Sequence, residues 1–173
     1  DPLWSRGLGD VYKRQLLTGG GQERDYRSTT ENMAGIAATA KALRLSMEKL
    51  DIFTSKTGQM KAVIRQALRD YPDIFVFSDE EDFAPHILTF GIKGVRGEVI
   101  VHAFEDYDIF ISTTSACSSK AGKPAGTLIA MGVDKDKAQS AVRLSLDLEN
   151  DMSQVEQFLT KLKLIYNQTR KVR

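Results

Sequence analysis

Apolar residues recur at three- and four-residue steps from Met33 through Ile36, Ala37, Ala40, Leu43 and Met47 to Leu50, a spacing that predicts an amphipathic helix. Ser28 and Glu31 have capping-box spacing, so the helix is expected to start there. A second amphipathic helix is predicted through Met60, Val63, Ile64, Ala67, Leu68 and Tyr71, stopped by Pro72. Strands are predicted over 74–77 and 87–92, and a short helix opens at Gly97 and carries Val99, Ile100, Ala103 and Phe104. The β-branched and aromatic run 109–113 reads as a strand. A short helix over 125–131, a turn at Gly132 and a strand over 141–146 follow. The closing helix, capped by Asn150 or Asp151, carries the stripe Val155, Phe158, Leu159, Leu162 and Ile165. There is no internal repeat and no low-complexity tract. A few strands interleaved with helices suggest an α+β fold, a two-layer sandwich with a small antiparallel or mixed sheet packed by helices.

Composition narrows the function without choosing it. The chain has 173 residues, 42% apolar and 27% charged, enough to build a core. The formal charge is +1, so no broad basic field argues for direct nucleic-acid binding. No apolar run approaches the ~20 residues of a membrane span, and no secretory signal opens the chain, so a cytoplasmic location is expected. One cysteine excludes an internal disulfide framework and a multi-cysteine zinc site, and no metal ligand set is expected. Residues 1–15 lack a helix or strand period and are similar to translated sequencing-adapter text, so they read as a non-native leader. Setting them aside leaves 21 basic and 21 acidic residues.

Cys117 is the principal chemical candidate. It lies among Thr113, Thr114, Ser115, Ala116, Ser118 and Ser119, with Lys120, Gly122 and Lys123 close behind. Small hydroxylic neighbours describe an exposed loop after a strand, and nearby ammonium groups favour the reactive thiolate. A cysteine hydrolase needs a base, usually histidine, and only His86 and His102 are available. His102, between Val101 and Ala103, reads as a packing residue at a helix edge, and His86 precedes a strand.

Three ordered motifs carry a resemblance. Gly19-Gly20-Gly21-Gln22-Glu23 followed by Arg27-Ser28-Thr29-Thr30-Glu31-Asn32 resembles a G-G-G-Q-E and R-S-G-T-E-N signature. Ser115-Ala116-Cys117-Ser118-Ser119 is similar to a cysteine loop, and Val142-Arg143-Leu144-Ser145 to a V-R-L-S strand. Together, from Leu16 to the end, they resemble the pyridoxal-phosphate-dependent cysteine desulfurases, class V aminotransferases of fold type I. In this resemblance residues 16–28 are a remnant of the cofactor-binding large domain. Residues 29–173 are the C-terminal small domain with its linking helix.

The resemblance implies that L-cysteine condenses with pyridoxal phosphate and that the Cys117 thiolate attacks its sulfur, leaving alanine and a persulfide on Cys117. It implies Arg143 as the clamp on the substrate carboxylate, matched by the guanidinium fork. Thr30 is implied as a ligand of the cofactor phosphate, in the neighbouring subunit of a homodimer, with Arg27 supporting the same loop. Thr29 departs from the pattern by standing where the family has glycine. The Cys117 segment resembles the mobile-loop branch that passes sulfur to an iron–sulfur scaffold or a tRNA-thiolation enzyme. The Schiff-base lysine of the family, in a Ser-x-His-Lys setting, is missing from these residues, so the chain reads as a C-terminal fragment, inactive alone. Two other readings fit the same residues: a class V relative such as a selenocysteine lyase, or a non-catalytic persulfide carrier.

Overall fold

The computed structural model describes residues 17–24, 26–78, 83–113 and 126–171. The two helices expected between residues 28 and 71 are one: α1 runs unbroken over Met33–Leu68. The sole breaker between the two apolar stripes is Gly58, and an isolated helical glycine costs only about 1 kcal/mol relative to alanine. The start also differs from expectation. Ser28 is buried and its Oγ accepts from the Gly21 amide, so it does not cap the helix. Asn32 does, with Oδ1 accepting from the Gly35 amide at 3.0 Å.

Two compact units divide the chain, Asp1–Glu48 and Lys49–Arg173, with the boundary inside α1. In the first unit a parallel bridge joins Leu17 to Arg27, and the Ser28 amide donates to the Leu17 carbonyl at 3.1 Å. Gly19 permits this closure, because a Cβ there would sit 2.9 Å from the Ser28 Cβ. The apolar stripe of the first half of α1 is uncovered; Met33, Leu43 and Met47 are each at least 60% exposed.

The second unit holds a four-stranded antiparallel sheet among the described residues. Its strands are β1 (Ile74–Val76), β2 (Ile87–Ile92), β3 (Ser112–Thr113) and β4 (Ala141–Ser145), in the order β1-β2-β4-β3. β4 pairs with both β2 and β3, which makes it an inner strand. Alternation sends Leu88, Phe90 and Ile92 of β2 and Val142 and Leu144 of β4 to one face. Helices cover that face: the second half of α1 through Met60, Ile64 and Leu68, α2 (Gly97–Glu105) through Ile100 and Phe104, and α5 (Met152–Lys171) through Val155, Phe158, Leu162 and Ile165. Phe158 stacks on Phe104 at 5.0 Å and meets Phe90 edge-on at 6.2 Å. Each such ring buried contributes about 1.5–3 kcal/mol.

Among the described residues the opposite face is covered at one end only. There α3 (Gly126–Ala130) and α4 (Lys135–Gln139) bring Leu128 and Ala138 onto Ala141, with Phe77 and Val133 packed alongside. The fold is therefore α+β, a small open antiparallel sheet with helices, as the sequence pattern suggested.

Candidate functional site

Arg143 stands on the uncovered part of the second sheet face. Its neighbours along β4, Val142 and Leu144, turn into the core, so the strand's two-residue period sends Arg143 outward, where it is exposed. Its cross-strand partners are Thr89 on β2 and Ser112 on β3. Among the described residues the Arg143 guanidinium makes no hydrogen bond or ion pair. The residues that share its face at these register positions, Thr89, Ser112, Ala141 and Ser145, carry no carboxylate. An unpaired guanidinium flanked by hydroxyls suits an anionic ligand with a planar, two-oxygen head.

Cys117 lies outside the described residues, in the segment 114–125, as do Lys120 and Lys123. Both ends of that segment are described. Thr113 pairs with Val142, next to Arg143, and α3 begins at Gly126 with Leu128 packed against Ala141. The described residues that flank the segment thus both meet β4, Thr113 by pairing with Val142 and Leu128 by clustering with Ala141.

Arg27 and Thr30 belong to the other unit. Arg27 is half-buried and donates from Nη1 to Thr29 Oγ1 at 2.6 Å. The Thr29 amide donates to Gln22 Oε1 at 3.3 Å, which ties residues 27–30 back to the glycine-rich turn. Thr30 is exposed, and its hydroxyl has no partner among the described residues. Thr29 itself has φ +122°, a region that favours glycine.

His102 lies on α2 and His86 immediately before β2. His102, expected to pack at a helix edge, is instead exposed on α2, and its Nδ1 lies 2.7 Å from Glu105 Oε2. The reason is helical phase: Ile100 and Phe104 take the inner face of α2. His86 packs its ring 5.0 Å from Phe53, and its carbonyl accepts from the Leu146 amide. Tyr71 has its hydroxyl pKa raised by burial first, with Asp70 and Tyr166 adding to the effect, but it packs with the core cluster on the other face. Among the described residues no group of three acidic, His or Cys side chains is placed to hold a metal ion. No described helix is long and apolar enough to cross a membrane.

Thr89 and Ser112 carried no motif and were not singled out from the sequence. Only the strand register reveals them, since it sets residues far apart in the chain on either side of Arg143.

Comparison with known proteins places these features in a family setting. The sequence model described as Aminotransferase class-V matches residues 5–158. A "NifS/IcsS protein homolog" of Lactobacillus delbrueckii subsp. bulgaricus is 44% identical over 174 residues, covering 96% of this chain and 45% of that protein. A "Cysteine desulfurase IscS" of Clostridium botulinum is 31% identical over 176 residues, covering 96% of this chain and 44% of that protein. A solved structure described as "NIFS-LIKE PROTEIN" superposes with a TM-score of 0.73 at 30% identity, covering 89% of this chain and 39% of that one. The chain thus spans less than half the length of the curated relatives it matches.

Proposed function

Because the chain belongs to the aminotransferase class-V family, we propose that it is the C-terminal part of a cysteine desulfurase, with Cys117 as sulfur acceptor and Arg143 as substrate-carboxylate clamp. The observation that carries this reading is the geometry around β4. An unpaired guanidinium stands on the open sheet face, and the described residues Thr113 and Leu128, on either side of the segment containing the only cysteine, pair or cluster with residues of the same strand. Cys117 follows Thr113 by four residues, so chain length alone keeps its backbone within about 14 Å of the end of β3.

The reaction that fits is transfer of the L-cysteine sulfur. The Cys117 sulfur bonds to the substrate sulfur as the substrate carbon–sulfur bond breaks. The carbon keeps the electron pair and takes a proton, giving alanine and a persulfide on Cys117. Arg143 receives the carboxylate in a two-bond fork and so fixes the substrate's orientation. A sulfur-acceptor protein, either an iron–sulfur scaffold or a tRNA-thiolation enzyme, then takes the persulfide sulfur.

The family implies pyridoxal phosphate in general. The residues here fit its phosphate end. Thr30 offers a hydroxyl without a partner among the described residues, and Arg27 brings a guanidinium whose Nη1 is held by Thr29. When bound, the cofactor supplies an electron sink that weakens the bonds of an amino-acid substrate. No Ser-x-His-Lys run occurs in the 173 residues, so we assign the cofactor-bonding lysine to an upstream part of a longer, homodimeric parent. The chain by itself is then inactive.

The test uses the full-length parent supplied with L-cysteine. Wild type releases alanine and gains one sulfur on Cys117, read by mass spectrometry of the Cys117 peptide. Cys117→Ser gains none and releases no alanine in excess of background. Undiminished alanine release and sulfur uptake in Cys117→Ser would remove the assignment.

A further inference from the structure

We infer that Thr89 is a second substrate-binding residue, whose hydroxyl adds to the Arg143 grip on the carboxylate; this deepens the desulfurase reading and rests on it. The inference comes from the strand register. In an antiparallel sheet the N–H and C=O of one residue point toward the same neighbouring strand. The Thr89 amide donates to Ser78 Oγ at 2.9 Å, and the Thr89 carbonyl accepts from the Phe77 amide at 2.8 Å. Both Thr89 backbone groups are thus spent on the β1 side of β2. Thr89 and Arg143 therefore form a non-hydrogen-bonded pair, the type with Cα atoms only about 4.5 Å apart and the closer side chains. The Arg143 backbone groups consequently point to β3, which makes Arg143 and Ser112 the wider, hydrogen-bonded type, about 5.5 Å apart. Thr89 is the nearer flank.

The chemistry of the pair is also unusual. An arginine on a sheet is commonly matched across strands by an acid, and such a pair contributes roughly 0.2–1 kcal/mol. Here the cross-strand partner is a threonine, and neither the Thr89 hydroxyl nor the Arg143 guanidinium has a hydrogen-bond partner among the described residues. Threonine is stiff at χ1, so its hydroxyl is presented at low entropic cost. Thr89 is half-buried on the same face as the exposed Arg143 and directly across from it in the register. A carboxylate in the fork would accept from the Thr89 hydroxyl as an additional partner. A purely structural threonine would serve the sheet equally well as valine.

The experiment measures steady-state desulfuration by the full-length holoenzyme with L-cysteine and with cysteamine, which lacks the carboxylate. Thr89→Val is expected to raise KM for L-cysteine about ten-fold at unchanged kcat, the loss of one hydrogen bond to a charged group. Its preference in kcat/KM for L-cysteine over cysteamine should fall by the same factor, and Thr89→Ser should restore both. Arg143→Gln is the reference. If it raises KM while Thr89→Val behaves as wild type, the role of Thr89 is overturned and the clamp stands. If Arg143→Gln itself leaves KM and the cysteamine preference unchanged, the carboxylate reading of this face falls, and Thr89 with it. A Thr89→Val enzyme that loses kcat equally on both substrates, without Thr89→Ser rescue, also overturns the inference, because only the sheet was damaged.

Discussion

Arg27 donates from Nη1 to Thr29 Oγ1 at 2.6 Å, and the residue that accepts holds φ +122°. A β-branched residue in that region is an outlier, and such backbone strain costs on the order of 1–3 kcal/mol. The resembling family has glycine at this position, so the loop has kept a glycine-type path around a larger residue and anchored it through Arg27. Replacing Thr29 separates the two effects. Thr29→Ala keeps a Cβ and loses the hydroxyl, whereas Thr29→Gly loses both. In the full chain the Thr29→Gly loop should therefore be more stable against local opening than the Thr29→Ala loop, by about 1–2 kcal/mol. Hydrogen exchange at the Ser28 amide, which donates to the Leu17 carbonyl, reads this directly. Equal protection in the two variants would mean that the backbone is not strained there.

Gly91 supports the opposite end of the Arg143 face. A Cβ on Gly91 would lie 2.3 Å from Ser140 Oγ and 2.9 Å from the Ser140 carbonyl oxygen, immediately before β4. Ser140 cannot easily withdraw, since its Oγ donates to the Lys137 carbonyl at 2.7 Å and closes α4. Gly91→Ala should destabilise the full chain by about 1–3 kcal/mol, seen as a lower urea midpoint. Adding Ser140→Ala removes the side-chain clash but not the backbone one, so the double variant should recover only part of the loss. A Gly91→Ala midpoint equal to wild type would show that α4 does not press on β2 as described.

Much of the second unit was legible because burial imposed clear periods. The β2 and β4 runs alternate or stay apolar where the core requires it, and the α5 stripe matches the buried residues Val155, Phe158, Leu162 and Ile165. The failures have local causes. β3 is shorter than the apolar run 109–113, because the Ile109 amide is taken by the Phe104 carbonyl at 3.1 Å and Asp108 adopts φ +57°, a Schellman-type stop for α2. α4 has no stripe to detect: it is five residues long and is started by Asp134, whose side chain accepts from the Asp136 amide. Motifs in the sequence pointed to Arg143, Arg27 and Thr30 as candidates for the roles proposed above. No motif pointed to Thr89, whose relation to Arg143 depends on strand pairing that no local pattern encodes.

Asp151 gives the fold a predictable acid sensitivity. Its Oδ1 accepts from Ser153 Oγ at 2.7 Å and from the Gln154 amide at 3.0 Å, which makes it the cap of α5. The Ser153 hydroxyl first, and the Gln154 amide next, hold its pKa below the usual carboxylate value, while Lys56 adds only a minor pull. A lowered folded-state pKa means that the unfolded chain binds the proton more readily. The contribution is therefore fully present above the unfolded value of about 3.9 and is lost as the pH falls through the lower folded value. Asparagine caps helices comparably without titrating, so Asp151→Asn should remove this component of the pH dependence. Urea midpoints of the full chain should put wild type at or above Asp151→Asn near neutral pH. As the medium is acidified below about pH 4, wild type should lose ground to the variant. Midpoints that fall in parallel would show that the carboxylate is not stabilised by its cap, and that the acid sensitivity of the chain arises elsewhere.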